Sequence, residues 1–262
     1  MIIAKSSWKK IARSLLPTSL QLSILCPKFI NNRVKACTGM RVASGPFQGM
    51  HYIQDSVGSV LVPKLIGIYE RELHEVVEEL VNSKVSRIID IGAAEGYYAV
   101  GLAIRLADAQ VLAFETEAQG RNLLVKLAEK NGVSDRIRIL GECSVADFRN
   151  ALDTSSKTAI VCDVEGAESF LLDPDQIPKL REASILVELH PGKSPGINML
   201  LRQRFESTHD IQVIIQEPRG RADFPYQSFP INLFPKAYLE NAVSEFRQPW
   251  EEIMNWFWMV PK

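Results

Sequence analysis

One stretch of the chain joins an acid to two glycines: Asp90-Ile-Gly-Ala-Ala-Glu-Gly96 follows a run of branched apolar residues. Gly92 and Gly96 allow a sharp turn and a close approach of backbone to a ligand, and the helix expected next offers free N–H groups to a carboxylate. Asp90 can meet the ammonium group of a bound amino acid. Glu115, at the end of the next predicted strand, suits both hydroxyls of a ribose. Together these residues predict a nucleoside ligand with an amino-acid end.

The same turn decides between two cofactors. A nicotinamide dinucleotide also needs glycines and an acid, but its fingerprint is G-x-G-x-x-G, whereas position 94 is Ala and the glycine spacing is four. None of the six tyrosines is followed four residues later by Lys, so the usual acid–base pair of one large dehydrogenase class is missing. We predict S-adenosylmethionine (SAM) and keep a nicotinamide-dependent oxidoreductase as the weaker alternative. The predicted cofactor contacts in the turn are Asp90, Gly92, Ala93, Ala94, Gly96 and Tyr97.

A second group of chemical residues follows the fourth and fifth predicted strands. Asp163 ends the fourth strand, Glu165 comes shortly after it, and His190 stands at the carboxyl end of the fifth. Methyl transfer from a sulfonium needs an aligned acceptor and a place for its proton, and alignment can lower a barrier by about 7–11 kcal/mol. We predict Asp163, Glu165 and His190 as catalytic residues, with His190 as the general base.

Two other interpretations of this group stay open. Carboxylates at the start of a helix favour the helix dipole whatever the function, which could account for Glu168, and histidines are commonly structural. A divalent metal such as Mg²⁺ bridging Asp163 and His190 could instead acidify an acceptor hydroxyl. The sequence favours the metal-free mechanism, so no metal ligand is predicted.

Three residues after the third predicted strand are expected at the adenine edge: Glu142, Cys143 and Ser144. In open parallel sheets, ligands bind beyond the carboxyl ends of the strands, where these residues lie. Cys143 is equally well explained as a core residue, because free cysteines are among the most often buried side chains.

Four blocks of the sequence occur in an order typical of one enzyme family. They are Asp90-Ile-Gly-Ala-Ala-Glu-Gly-Tyr97, Ala113-Phe-Glu115, Cys162-Asp-Val-Glu-Gly-Ala-Glu168 and Val187-Glu-Leu-His190. They resemble the FkbM family of SAM-dependent methyltransferases, whose first block typically reads D-I-G-A-N-x-G and whose third reads K-x-D-V-E-G-x-E. The resemblance covers about residues 85–192, with Ala94 in place of Asn and Val161 in place of Lys. It implies a Rossmann-like class I methyltransferase fold and O-methylation of a sugar, glycan or other natural-product hydroxyl.

Hydrophobic periodicity predicts the elements that hold these residues. A helical pattern over 63–83 leads into strands that alternate with helices from about 96 and over 118–130, 145–152, 168–181 and 197–208, the helix over 168–181 being interrupted by Pro174 and Pro178. This order implies a doubly wound Rossmann-like α/β fold with a mostly parallel seven-stranded sheet. Residues 1–62 should form a basic helical and β extension on the substrate side, with a turn at 45–50 and no helix over 31–62. Residues 63–262 should form the catalytic domain, which includes a loop over 217–236. The predicted strands cover 87–92, 110–115, 136–141, 158–163, 184–190, 211–216 and 256–260.

The charge and cysteine content of the chain limit the classes of partner and metal to be expected. Thirty basic residues against 31 acidic ones give a net charge of −1, so no global field attracts a polyanion, and nucleic acid is not expected as a partner. The four cysteines show no paired metal spacing, which predicts reduced thiols, no structural zinc and a cytoplasmic protein.

The first 54 residues contain no acid, and apolar residues at helical spacing beside Lys9, Lys10 and Arg13 predict a basic amphipathic helix over 8–16. Packing on the catalytic domain is the favoured interpretation; peripheral membrane contact and a transit peptide are the alternatives. A SAM-binding scaffold without turnover, docked through this segment, is the competing function.

Overall fold

The computed structural model describes residues 18–54, 60–226, 236–245 and 255–262, with the backbone alone for 18–26. The basic helix predicted over 8–16 and part of the loop predicted over 217–236 lie outside these residues and stay predictions. Among the helices that are described, none combines the length and the apolar character that crossing a membrane requires.

Seven strands form one sheet in the order β3-β2-β1-β4-β5-β7-β6 in the described part of the chain. The first five run parallel, and β7 pairs antiparallel with both β5 and β6. This confirms the predicted doubly wound, mostly parallel sheet. Their bounds are β1 Arg87–Ile91, β2 Gln110–Phe114, β3 Ile137–Leu140, β4 Thr158–Cys162, β5 Ser184–Leu189, β6 His209–Ile215 and β7 Asn255–Pro261.

Helices cover both faces of the sheet. Consecutive residues of β1 divide between two cores, Ile88 on one face and Ile89 on the other, as expected for a buried parallel strand. The α-helices are α1 Thr18–Thr38, α2 Leu61–Ile66, α3 His74–Asn82, α4 Tyr97–Arg105, α5 Ala118–Asn131, α6 Val145–Leu152, α7 Glu168–Leu171, α8 Ile197–Phe205 and α9 Lys236–Val243. Short 3₁₀ turns cover Arg71–Leu73, Ser134–Arg136, Pro178–Glu182 and Arg221–Asp223.

The single helix predicted over 63–83 is wrong. Gly67 ends α2 with φ +79°, and a side chain there would place its Cβ 2.0 Å from the carbonyl oxygen of Ser44. The chain then passes through the Arg71–Leu73 turn before α3 begins. The helix predicted over 168–181, with interruptions at Pro174 and Pro178, is observed as the short α7 and a 3₁₀ turn that begins at Pro178, where proline is compatible with a first turn.

The segment before α2 is more helical than predicted. α1 extends to Thr38, because its buried residues Ile30 and Val34 pack into the same hydrophobic core as Val100 of α4. The turn predicted at 45–50 is confirmed, with Gly49 N donating to Val42 O at 2.8 Å, but an isolated bridge replaces the flanking strands. This segment is therefore part of the main hydrophobic core.

Strand register brings the chemical residues together. β1 pairs with β2 on one side and with β4 on the other. The strands from β1 to β3 are added toward one edge of the sheet, and the strands from β4 onward are added toward the opposite edge. Ile91 is level with Phe114 and with Cys162, so the residues that follow these strands meet at one edge. This is the switch point at which open α/β sheets bind ligands.

Candidate active site

A cavity of about 480 Å³ opens at the carboxyl ends of β1, β2 and β4. Its size is within the range of ligand pockets, about 300–1,000 Å³. Most of the residues predicted from sequence line it: Asp90, Gly92, Ala93, Ala94, Tyr97, Glu115, Glu142, Cys143, Asp163 and Glu165.

The glycine turn between β1 and α4 is shaped by packing as well as by access. Gly92 has φ +86°, and a Cβ there would lie 1.7 Å from the carbonyl oxygen of Asp163, so only glycine permits the ends of β1 and β4 to approach. Gly96 does not line the cavity; a Cβ there would meet Leu124 of α5 at 2.7 Å. The second glycine therefore seats α4 against α5.

Glu115 closes the turn from the side of β2. Its carboxylate is mostly buried and accepts hydrogen bonds from the backbone N–H of Ala94 and of Glu117, both at 2.7 Å. Gly120 of α5 leaves room for this side chain, because a Cβ there would lie 2.8 Å from Glu115 Cγ. Each carboxylate oxygen retains a second lone pair, which can accept from a ribose hydroxyl.

Asp90 is buried at the end of β1, and its Oδ2 has no hydrogen-bond partner among the described residues. Burial raises the pKa of Asp90 to about 7; a backbone hydrogen bond from Ala99 opposes this rise, and the charge of Glu115 adds to it. A buried acceptor without a partner costs free energy. Asp90 is thus suited to a ligand that brings a cationic donor.

Ala94 adopts φ +47° in this turn, a left-handed conformation that costs a residue with a Cβ about 1–2 kcal/mol. Asparagine tolerates this conformation better, and it is the residue that the FkbM pattern has here. We therefore predict that Ala94→Asn raises the free energy of unfolding by about 0.5–1 kcal/mol. Urea denaturation checks this, with Ala94→Val as the opposite case, because a β-branched side chain should lower it. Equal stability of all three chains would contradict the assigned strain.

The acceptor half of the cavity lies at the carboxyl ends of β4 and β5, and the cofactor half lies at the carboxyl ends of β1 and β2. Asp163 and Glu165 line the cavity, whereas His190 does not. The Nε2 atom of His190 is 3.6 Å from Asp163 Oδ1 and 3.7 Å from Glu165 Oε2. Its Nδ1 atom is 2.5 Å from Oε1 of Glu168, which is fully buried at the start of α7. The three predicted catalytic residues are therefore close together, and Glu168 holds the imidazole.

Carboxylates dominate the electrostatics around His190. Burial alone would lower the pKa of His190, but the hydrogen bond with Glu168 and the charges of Glu188, Glu168 and Glu165 outweigh burial and raise it. Lys193 contacts Glu165 at the rim of this half. The group thus carries more negative than positive charge.

The residues predicted at the adenine edge separate into two kinds. Glu142 and Cys143 line the cavity. Burial, with the charge of Asp147, raises the pKa of Cys143 to about 12, so its thiol stays protonated at neutral pH. Ser144 lies outside the lining and caps α6, its hydroxyl accepting from Asp147 N at 3.1 Å.

A buried hydrogen-bond network beside the cavity was not predicted from the sequence. Lys64 of α2 lines the cavity and donates to Glu95 Oε1 at 2.6 Å, and the hydroxyl of Tyr52 donates to the same oxygen at 2.7 Å. The ammonium of Lys64 also lies 4.7 Å from the ring centre of Tyr69. The one signal in the sequence was Glu95 within the glycine turn, since a buried charge there needs a cationic partner.

No protein-family model matches this sequence, and no curated protein matches it either. Among solved structures, the delta-N METTL16 methyltransferase domain is 16% identical over 88% of this chain and 96% of its own, with a TM-score of 0.49. The human methyltransferase 10 domain containing protein is 15% identical over the same shares, with a TM-score of 0.46. The O-methyltransferase TomG from Streptomyces achromogenes, solved in complex with SAM, is 12% identical over 74% of this chain and 81% of its own, with a TM-score of 0.46.

These similarities are remote and carry no inference about substrate. The Rossmann-like class I methyltransferase fold of the chain follows from its own strand order, with β7 inserted antiparallel between β5 and β6. The FkbM resemblance stays a prediction from its motifs.

Proposed function

We propose that this protein is a SAM-dependent methyltransferase that methylates a hydroxyl oxygen on a small molecule or glycan. One observation carries the proposal: a single cavity is lined by cofactor-type residues at the ends of β1 and β2 and by carboxylates after β4, which lie 3.6 and 3.7 Å from His190 at the end of β5. The near-zero net charge supports a small acceptor over a nucleic acid.

The cofactor half fits SAM in its chemistry. The unpartnered oxygen of Asp90 suits the α-ammonium of the methionine portion, and Glu115 suits the ribose hydroxyls. Glu142 and Cys143 are proposed at the adenine, and Lys64 near the carboxylate. When bound, SAM supplies an activated methyl group on a sulfonium.

The acceptor half is proposed to position a hydroxyl and remove its proton. His190 presents Nε2 toward Asp163 and Glu165, because Glu168 holds the opposite ring nitrogen. As the acceptor oxygen bonds to the methyl carbon, the hydroxyl proton passes to this group and the carbon–sulfur bonding pair stays on sulfur. No nucleophilic side chain is needed, because alignment supplies much of the rate.

Cofactor binding should release a proton from Asp90. With a pKa of about 7, Asp90 is mostly protonated at pH 6.5 in the free protein. A bound ammonium favours the carboxylate, so SAM should displace a measurable fraction of a proton at that pH. Calorimetry in two buffers of different ionisation heat measures this fraction. Asp90→Asn should release none; the same release from both chains would remove Asp90 from the site.

The acceptor class is tested by methyl transfer from labelled SAM to a fractionated cell extract. Label should appear in the small-molecule or glycan fraction, in a linkage stable to mild base, as an ether is. Label confined to the RNA or protein fraction would overturn the acceptor assignment. SAM binding with no label in any fraction would favour the scaffold alternative.

A further inference from the structure

We propose that Asp163, Glu165 and His190 form a binding site for one divalent cation of the Mn²⁺ type, at the acceptor end of the cavity. Its role in catalysis rests on the proposed function, since the cation would lie where the acceptor hydroxyl is placed and would favour ionisation of that hydroxyl. With the cation bound, Nε2 of His190 would be a ligand in place of the proton acceptor, and the hydroxyl proton would pass to solvent. The binding itself does not depend on SAM.

The ligand atoms of the three side chains converge. One imidazole nitrogen and one oxygen from each carboxylate all lie within 4.8 Å of one another. Two ligands about 2.2 Å from a shared ion, at angles of about 90–115°, are about 3.1–3.7 Å apart. The separations of His190 Nε2 from Asp163 Oδ1 and Glu165 Oε2, 3.6 and 3.7 Å, meet this requirement without movement of the ring.

The imidazole is held as metal-binding histidines usually are. A ligating histidine generally bonds through its other ring nitrogen to a carboxylate, which fixes the ring and its tautomer. Glu168 does this for His190: it is fully buried, bonds Nδ1 at 2.5 Å and also accepts from Gly166 N at 3.1 Å. Glu168 therefore directs Nε2 at the two carboxylates that line the cavity.

The donor set selects the kind of cation. One nitrogen and two oxygens, with open positions toward the cavity, suit Mn²⁺ better than thiolate-preferring ions, and Mg²⁺ less well because it prefers oxygen alone. Four carboxylates surround the site, those of Asp163, Glu165, Glu168 and Glu188, and a cation would offset their charge. Lys193 contacts Glu165 and would have to release it when the cation binds, so the Lys193 ammonium competes with the cation for the Glu165 carboxylate.

The test titrates MnCl₂ into the full chain after chelator treatment, following free Mn²⁺ by electron paramagnetic resonance. We expect one ion per chain. His190→Ala and Asp163→Asn should each weaken binding at least tenfold, and Glu168→Gln by about 10- to 100-fold. Lys193→Met should bind at least as tightly as the parent. The matched control is Glu182→Gln, because Glu182 is an exposed acid paired with Lys179 outside the cavity lining, and its affinity should not change.

Absence of saturable Mn²⁺ binding, or equal binding by His190→Ala and the parent chain, would overturn the proposal. If His190→Ala does not fold, Asp163→Asn and Glu168→Gln decide the question by the same criterion. Calorimetry with SAM on the same preparations separates the two proposals: SAM binding without Mn²⁺ binding would remove the metal site alone. Mn²⁺ binding without SAM binding would remove the proposed function and leave the metal site.

Discussion

Replacing His190 by alanine should lower methyl-transfer turnover by about 10²- to 10⁴-fold while changing the SAM dissociation constant by less than about twofold. The imidazole lies at the end of β5 with Nε2 toward Asp163, whereas the proposed ribose contact, Glu115, lies at the end of β2 beyond β1 and β4. Loss of the ring should therefore affect the acceptor and not the cofactor. Turnover at saturating SAM and calorimetry measure the two effects separately.

His209 offers a matched control for this substitution. It is also buried, but it lies on β6 and its Nε2 bonds the carbonyl oxygen of Ala183 at 3.0 Å. His209→Ala should lower thermal stability and retain turnover per folded molecule. If His190→Ala behaves in the same way, with full turnover and only a lower melting temperature, His190 is structural and the acceptor-side mechanism is wrong.

Replacing Glu115 by alanine should weaken SAM binding at least tenfold. A carboxylate that accepts from both ribose hydroxyls makes charge-assisted hydrogen bonds, each stronger than a neutral one. Glu115→Gln should have an intermediate effect, because the amide keeps the size and one acceptor oxygen. Calorimetric titration with SAM and with its demethylated product measures both changes.

The control for Glu115 is two residues away. Glu117 is exposed, and its backbone N–H, not its side chain, bonds Glu115. Glu117→Ala should therefore bind SAM like the parent chain. Equal affinity of Glu115→Ala and the parent would exclude Glu115 from the cofactor site.

The strands could be predicted from sequence because branched apolar runs end at glycines and acids. β1, for example, is confirmed over Arg87–Ile91, one residue short of its predicted end. The end of α2 could not be predicted, since it depends on the contact of Gly67 with Ser44, 23 positions earlier. Helical periodicity depends only on the local spacing of apolar residues, so it gives no sign of a contact with a distant residue.

The candidate site divides in the same way. Asp90, Glu115 and Asp163 could be placed together from sequence, because the carboxyl ends of neighbouring parallel strands meet at one edge. The pairing of Lys64 with Glu95 could not, since nothing in the local pattern indicates which distant cation reaches a buried acid. Gly96 was predicted at the ligand for its position in the turn, and the structure places it against Leu124.

Calorimetric titration of the full chain with SAM, its demethylated product and NAD⁺ under one set of conditions tests the proposed cofactor most directly. One SAM and one demethylated product should bind saturably per chain, and NAD⁺ should show no saturable binding. Binding of NAD⁺ with no binding of SAM would contradict the proposed cofactor and, with it, the proposed methyltransferase activity.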